Sequence, residues 1–190
     1  MAATFNIVYD FGGADGAPGT NQIIDALGPP SIRFKQADNA TIDGNSPIPI
    51  PAAGTNYSRW KQLYLKCTGA PVTQVNNVQF YTDGGGFGAG TTVKVGNQFP
   101  TKNSISNAGY EVADVNAAMV GNHGGLTGAT DAFSFTSAAA LVGPSISEAG
   151  NIINAINETT NYLVTQMEVT NAAGAGNLAD ETWTFQYDEI

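Results

Sequence analysis

Short runs of β-branched and aromatic residues recur along this chain between glycines, prolines, asparagines and aspartates, and that punctuation restricts its fold more than any other feature. TFNIVYDF at the start, SIRFK at 31–35, SRWKQLYLKC at 58–67, VNNVQFYT at 75–82 and TTVKV at 91–95 each read as a strand. YEVADV at 110–115, AFSFT at 132–136, YLVTQMEV at 162–169 and TWTFQY at 182–187 extend the series. About nine short strands separated by turn residues predict an all-β fold, an antiparallel β-sandwich with jelly-roll or immunoglobulin-like topology.

The pattern inside two of these runs shows where a core would form. In TWTFQY, Trp183, Phe185 and Tyr187 alternate with Thr182, Thr184 and Gln186, so one aromatic face is buried. In YLVTQMEV, Leu163, Thr165, Met167 and Val169 alternate with Tyr162, Val164, Gln166 and Glu168, so either face is fit for cover. The intervening TNAAGAGNLADE is long enough to join the two as an antiparallel hairpin. At most one short helix is expected, in PSISEAGNIINAINE, where Ile146, Ala149, Ile153 and Ile156 recur at helical spacing behind Ser145 or Ser147. Gly150 argues instead for a loop that skirts the sandwich.

Three stretches read as loops: 12–22, 45–56 and 121–128. In the second, Pro47, Pro49 and Pro51 alternate with Ile48 and Ile50, which favours an extended polyproline-like arm. Its isoleucines are placed either to lie across a neighbouring surface or to pack on their own domain. At 190 residues and 42% hydrophobic the chain can bury one good core, so a single domain over 1–190 is expected, with an extended arm or long loops within 1–56.

Charge excludes several partners. Seven Lys+Arg against sixteen Asp+Glu give a net charge of −9, which repels phosphate backbones and anionic lipid, so neither nucleic acid nor a membrane is an expected partner. No run approaches the ~18 unbroken apolar residues of a membrane span. Only 12% of residues are charged, so the surface is built largely from Asn, Thr, Ser, Gln and Gly, with few long side chains to immobilise at an interface. The residues after Met1, AATFNIVYDFGGADG, lack a basic n-region and a continuous apolar h-region, which predicts synthesis in the cytoplasm without a signal peptide.

Catalytic groups are sparse, and no enzymatic activity is expected. Cys67 is the single cysteine; it alternates with Leu63 and Leu65 and reads as a small core residue. His123 is the single histidine, in the glycine-rich loop GNHGGLTG, and reads as a surface residue rather than a base. Asp83, Glu111, Asp114, Asp131 and Glu168 are carboxylates whose spacing would decide any glycosidase chemistry, but most such residues here sit beside glycines or at strand ends, where they cap turns. DGGGFGAG at 83–90 lacks the spacing of a phosphate-binding loop. No cofactor is expected; calcium is the one ion with any footing, in the Asp/Gly loops at 10–16 and 37–45, and neither has EF-hand spacing.

The block NYSRWKQLYLKCTGAPVTQVNNVQFYTDGGG, followed by NYLVTQMEV and the closing ETWTFQYDE, resembles a pattern in virion structural proteins of tailed bacteriophages. The pattern is a strand with a Trp, an NVxFY-type strand ending in Asp-Gly, and a C-terminal aromatic strand ending in Tyr-Asp-Glu. It involves only scaffold residues, so it implies a β-sandwich on a capsid or tail and transfers no active site. Within that class the expectation is a capsid decoration, or cement, protein on the outer shell. Its partners would be the major capsid protein and copies of itself, as a trimer or another cyclic homo-oligomer. Ile48, Ile50 and Phe87 are the candidate interface anchors. The rival readings are a tail, baseplate or fibre protein with glycan binding, and a carbohydrate-binding module, for which Trp60 and Tyr64 would form the stacking row, although both read more readily as core residues.

Overall fold

The computed structural model describes residues 2–24, 32–114 and 117–190. Among these residues, ten strands run in chain order: β1 (Thr4–Ala14), β2 (Ala17–Ile23), β3 (Thr55–Tyr57), β4 (Lys61–Gly69), β5 (Val75–Thr82), β6 (Thr91–Gly96), β7 (Ala129–Asp131), β8 (Leu141–Val142), β9 (Leu163–Thr170) and β10 (Trp183–Glu189). Every strand pairing is antiparallel. The large sheet has the order β2-β1-β4-β9-β6-β7, with β3 also on β9; the small sheet has the order β10-β5-β8. The all-β sandwich is therefore the fold, divided unevenly between a seven-stranded and a three-stranded layer.

Residues 12–22, expected as a loop, form the tight end of a β-hairpin. Ala14 pairs with Ala17, leaving Asp15-Gly16 as the two-residue turn, and Asp-Gly is a favoured sequence there because the turn needs left-handed backbone. Gly16 sits at φ 70° and Gly13 at φ 79°. A Cβ on Gly13 would overlap the carbonyl oxygen of Ala17, so the strands approach closely only because that position is glycine.

β3 and β4 both pair with β9 and are separated by Ser58–Trp60. Ser58 keeps the ladder intact across the break: its N–H donates to the Met167 carbonyl at 2.9 Å, and its hydroxyl accepts the Met167 N–H at 3.0 Å. The side chain thus supplies an acceptor that regular backbone would have supplied.

Several expected elements take other forms. The described part of the 31–35 run, residues 32–35, is not a strand, and neither are residues 110–114 of the 110–115 run; Ser31 and Val115 lie outside the described residues. The 132–136 run opens with a 3₁₀ turn, Ala132–Ser134, capped by the Asp131 side chain. The 144–158 segment skirts the sandwich and holds one 3₁₀ turn, Ala149–Asn151, whose Gly150 is left-handed at φ 76°, so no helix propagates. β9 and β10 are not a hairpin. They belong to different sheets, and residues 171–182 cross between the layers.

Both faces of the large sheet are covered, and by different means. Tyr9, Leu63, Val93, Val95, Leu163, Met167 and Val169 face the small sheet and pack with Phe80 of β5. Trp183 and Phe185 close that core half-buried, with Phe80 edge-on to Trp183 at 5.4 Å. The opposite face presents Val8, Trp60, Tyr64, Tyr162 and Val164 to Tyr110, Ala113, Met119 and Leu126. Those four come from the long connection between β6 and β7, whose described residues form neither helix nor strand.

Candidate functional site

Ile48, Ile50 and Phe87 line one groove. Its cavity, about 300 Å³, lies at the low end of the roughly 300–1,000 Å³ typical of ligand sites. Four segments build it: 32–34, the proline arm at 47–50, the glycine-rich loop at 87–91, and the crossover at 173–180. Met167 and Val169, from the end of β9, complete the lining.

Each wall is held in place by identifiable bonds. The buried Lys35 ammonium donates to the Thr41 carbonyl at 2.8 Å and to Asp43 Oδ1 at 2.9 Å, closing the loop that leads into the arm. Asn56 Nδ2 donates to the Pro49 carbonyl at 2.8 Å, which ties the arm to β3. Ile48 packs against the core between the sheets, whereas Ile50 remains 41% exposed. The arm therefore lies on its own domain and offers one isoleucine to solvent.

Phe87 is carried by a loop in which Gly84, Gly86, Gly88 and Gly90 all have positive φ. Its ring sits edge-on to Phe133 at 5.4 Å. A Cβ on Gly90 would overlap the backbone of Ala172 and Ala173, so glycine there lets this loop and the crossover meet. Thr170 N–H donates to the Gly90 carbonyl at 2.8 Å and closes the same junction. Across the groove, Arg33 Nη2 donates to Asn177 Oδ1 at 2.7 Å and links segment 32–34 to the crossover.

The remaining residues singled out in the sequence serve the scaffold. Cys67, Trp60 and Tyr64 are buried, and burial pushes the Cys67 thiol above its usual range. His123 is a correction: it is buried, not on the surface. Its Nδ1 accepts the Gly125 N–H at 3.1 Å and its Nε2 lies 3.1 Å from Gln62 Oε1, an arrangement that a neutral ring protonated at Nε2 satisfies. Desolvation lowers its pKa against the opposing charge of Glu111, and its ring packs on Trp60 at 5.8 Å.

Carboxylates are likewise engaged locally. Asp83 accepts from Gly85 N–H, Asp131 from Phe133 N–H and Glu111 from Gly124 N–H. Of the calcium-candidate loops, Asp10 accepts the hydroxyls of Tyr162 (2.6 Å) and Tyr64 (3.4 Å), Asp38 those of Tyr9 and the Gly12 amide, and Asp43 the Lys35 ammonium. No group of three or more His, Cys, Asp or Glu able to hold a metal ion occurs among the described residues.

Reasoning from the sequence missed Met167, Val169 and the crossover. The alternation in β9 carries a signal for the first two, since both lie on the face that packs in the core. Nothing local marks 173–180 as a groove wall, because that depends on β9 and β10 entering separate sheets. Comparisons with protein-family models, curated proteins and solved structures find no significant match to this chain.

Proposed function

We propose that this protein works by docking onto other proteins, without turnover, and that the groove is its docking surface. The reading is supported by one observation above others: candidate anchors from two separate stretches of sequence, Ile48 and Ile50 from the proline arm and Phe87 from the glycine-rich loop, line a single apolar cavity with Ile50 open to solvent. Shallow apolar cavities that accept a partner's side chains are where interface energy concentrates.

Joined to the resemblance to phage virion proteins, the concrete form of the reading is a capsid decoration protein. It would bind the outer shell, associate with copies of itself as a closed cyclic oligomer, and add buried area of the order of 800 Å² per partner. A tail, baseplate or fibre location is the alternative address. Trp60 and Tyr64, the pair that sugar stacking would require, are buried at 1% and 4%, which removes the basis for the carbohydrate-binding reading.

The test is co-sedimentation of the purified chain with expanded capsid shells, together with its oligomeric state by light scattering. Ile50→Asp should weaken shell binding at least tenfold without altering the melting curve, because Ile50 is exposed and outside the core. A monomer that ignores shells, or labelled protein found on tails, would end the decoration reading.

A further inference from the structure

The groove is apolar inside, but one lip is acidic. Asp180 ends the crossover wall, and beside it Glu181 and Asp83 converge on the backbone of the Phe87 loop. A Cβ built on Gly85 would lie 2.8 Å from Glu181 Oε2 and 3.2 Å from Asp83 Oδ1. The two carboxylates therefore face each other where the glycine loop meets the crossover. Partial desolvation and the Asp83 charge push Glu181 up, while the Gly85 N–H holds Asp83 below its usual value. Among the described residues, none of the three lip carboxylates forms an ion pair. Arg33, the cation in the lining, is bonded instead to Asn177.

Resting on the docking reading above, we propose that the groove takes an extended segment of a partner protein in which an aliphatic or aromatic anchor stands next to a lysine or arginine. The anchor fills the cavity beside Ile50. The methylene stem of the basic residue lies along Phe87, and its cation rests between Asp83 and Glu181. Long basic side chains suit this shape because they combine an apolar stem with a charged head. The two carboxylates share a hydrogen bond and accept backbone N–H groups, and a guanidinium or ammonium is the natural complement of their remaining negative charge.

The test is a selection of random seven-residue peptides by mRNA display on the full chain, followed by calorimetry with the most enriched peptide. Lysine or arginine beside Ile, Leu, Val or Phe should dominate the enriched set. Affinity should fall at least tenfold for the Asp83→Asn/Glu181→Gln double variant and for Ile50→Asp, each with an unchanged melting curve. Glu181→Lys should recover binding to a peptide whose basic residue is replaced by glutamate. Enrichment of neutral or acidic peptides, or equal binding by the double variant, would overturn the inference while leaving the docking groove in place. Equal binding by Ile50→Asp would overturn the groove itself.

Discussion

The two faces of the large sheet are covered by opposite strategies. The inner face meets another sheet, whose backbone groups are satisfied within its own ladders, so the residues between them can be Leu63, Phe80, Val93 and Leu163. Their adhesion is non-directional and follows buried area. The outer face meets an irregular connection, whose amides and carbonyls have no ladder to join and must be satisfied by side chains from the sheet. Gln62 Nε2 donates to the Glu111 carbonyl at 2.6 Å and its Oε1 accepts the Glu111 N–H at 3.0 Å. Gln166 Oε1 accepts the Met119 N–H, and its Nε2 donates to the carbonyls of Ser58 and Ala117. An irregular cover thus requires polar side chains among the apolar residues of the sheet face, while a regular cover does not.

Equal changes of shape should then have unequal costs on the two faces. Gln166→Met keeps the volume but leaves buried backbone groups of Met119, Ser58 and Ala117 unpaired, and should cost about 3–5 kcal/mol. Leu163→Met, the comparable change on the inner face, should cost less than about 1.5 kcal/mol. Denaturant unfolding of both variants decides it, and equal losses would break the distinction.

Lys61 is the inner face's exception. It is fully buried on β4, its ammonium donates to Tyr9 Oη at 2.9 Å, and burial lowers its pKa from 10.5 to about 8. A lysine with a depressed folded pKa destabilises the fold while it is charged. The penalty, roughly 3 kcal/mol, is therefore complete below about pH 8 and disappears as pH rises towards 10.5. Lys61→Met should exceed the parent in stability at pH 7 and lose that advantage across this window, as followed by unfolding curves at successive pH values. A constant difference would show that the ammonium is compensated in the fold.

The smallest effect is expected opposite Lys61. Thr165 pairs with it across β4 and β9, and its buried hydroxyl has no hydrogen-bond partner among the described residues. Thr165→Val should be neutral or stabilising by up to about 1 kcal/mol, since it removes an unpaired polar atom at constant shape. A clear loss would mean that the hydroxyl is satisfied in solution.

The runs that became β5, β6, β9 and β10 were legible because each alternates and is bounded by turn residues. Residues 32–35 and 110–114, from runs of the same composition, serve as irregular filling between and over the sheets, and composition does not separate those uses. The hairpin turn at Asp15-Gly16 was present in the sequence and obscured by the surrounding glycines. His123 was misplaced for a similar reason: a glycine-rich loop reads as exposed, yet here it is the cover of a sheet face, and its histidine fills the space over Trp60.

By itself, then, the sequence determined the all-β class and the alternation along β9 and β10, because these follow from side-chain period and turn chemistry within a few positions. Tertiary structure alone decided that β9 and β10 lie in different sheets. That one choice stretches residues 171–182 across the layers, brings them against the Phe87 loop at Gly90, and creates both the groove and its acidic lip. Strand partners are selected by the packing of the whole core, over separations that no local pattern records.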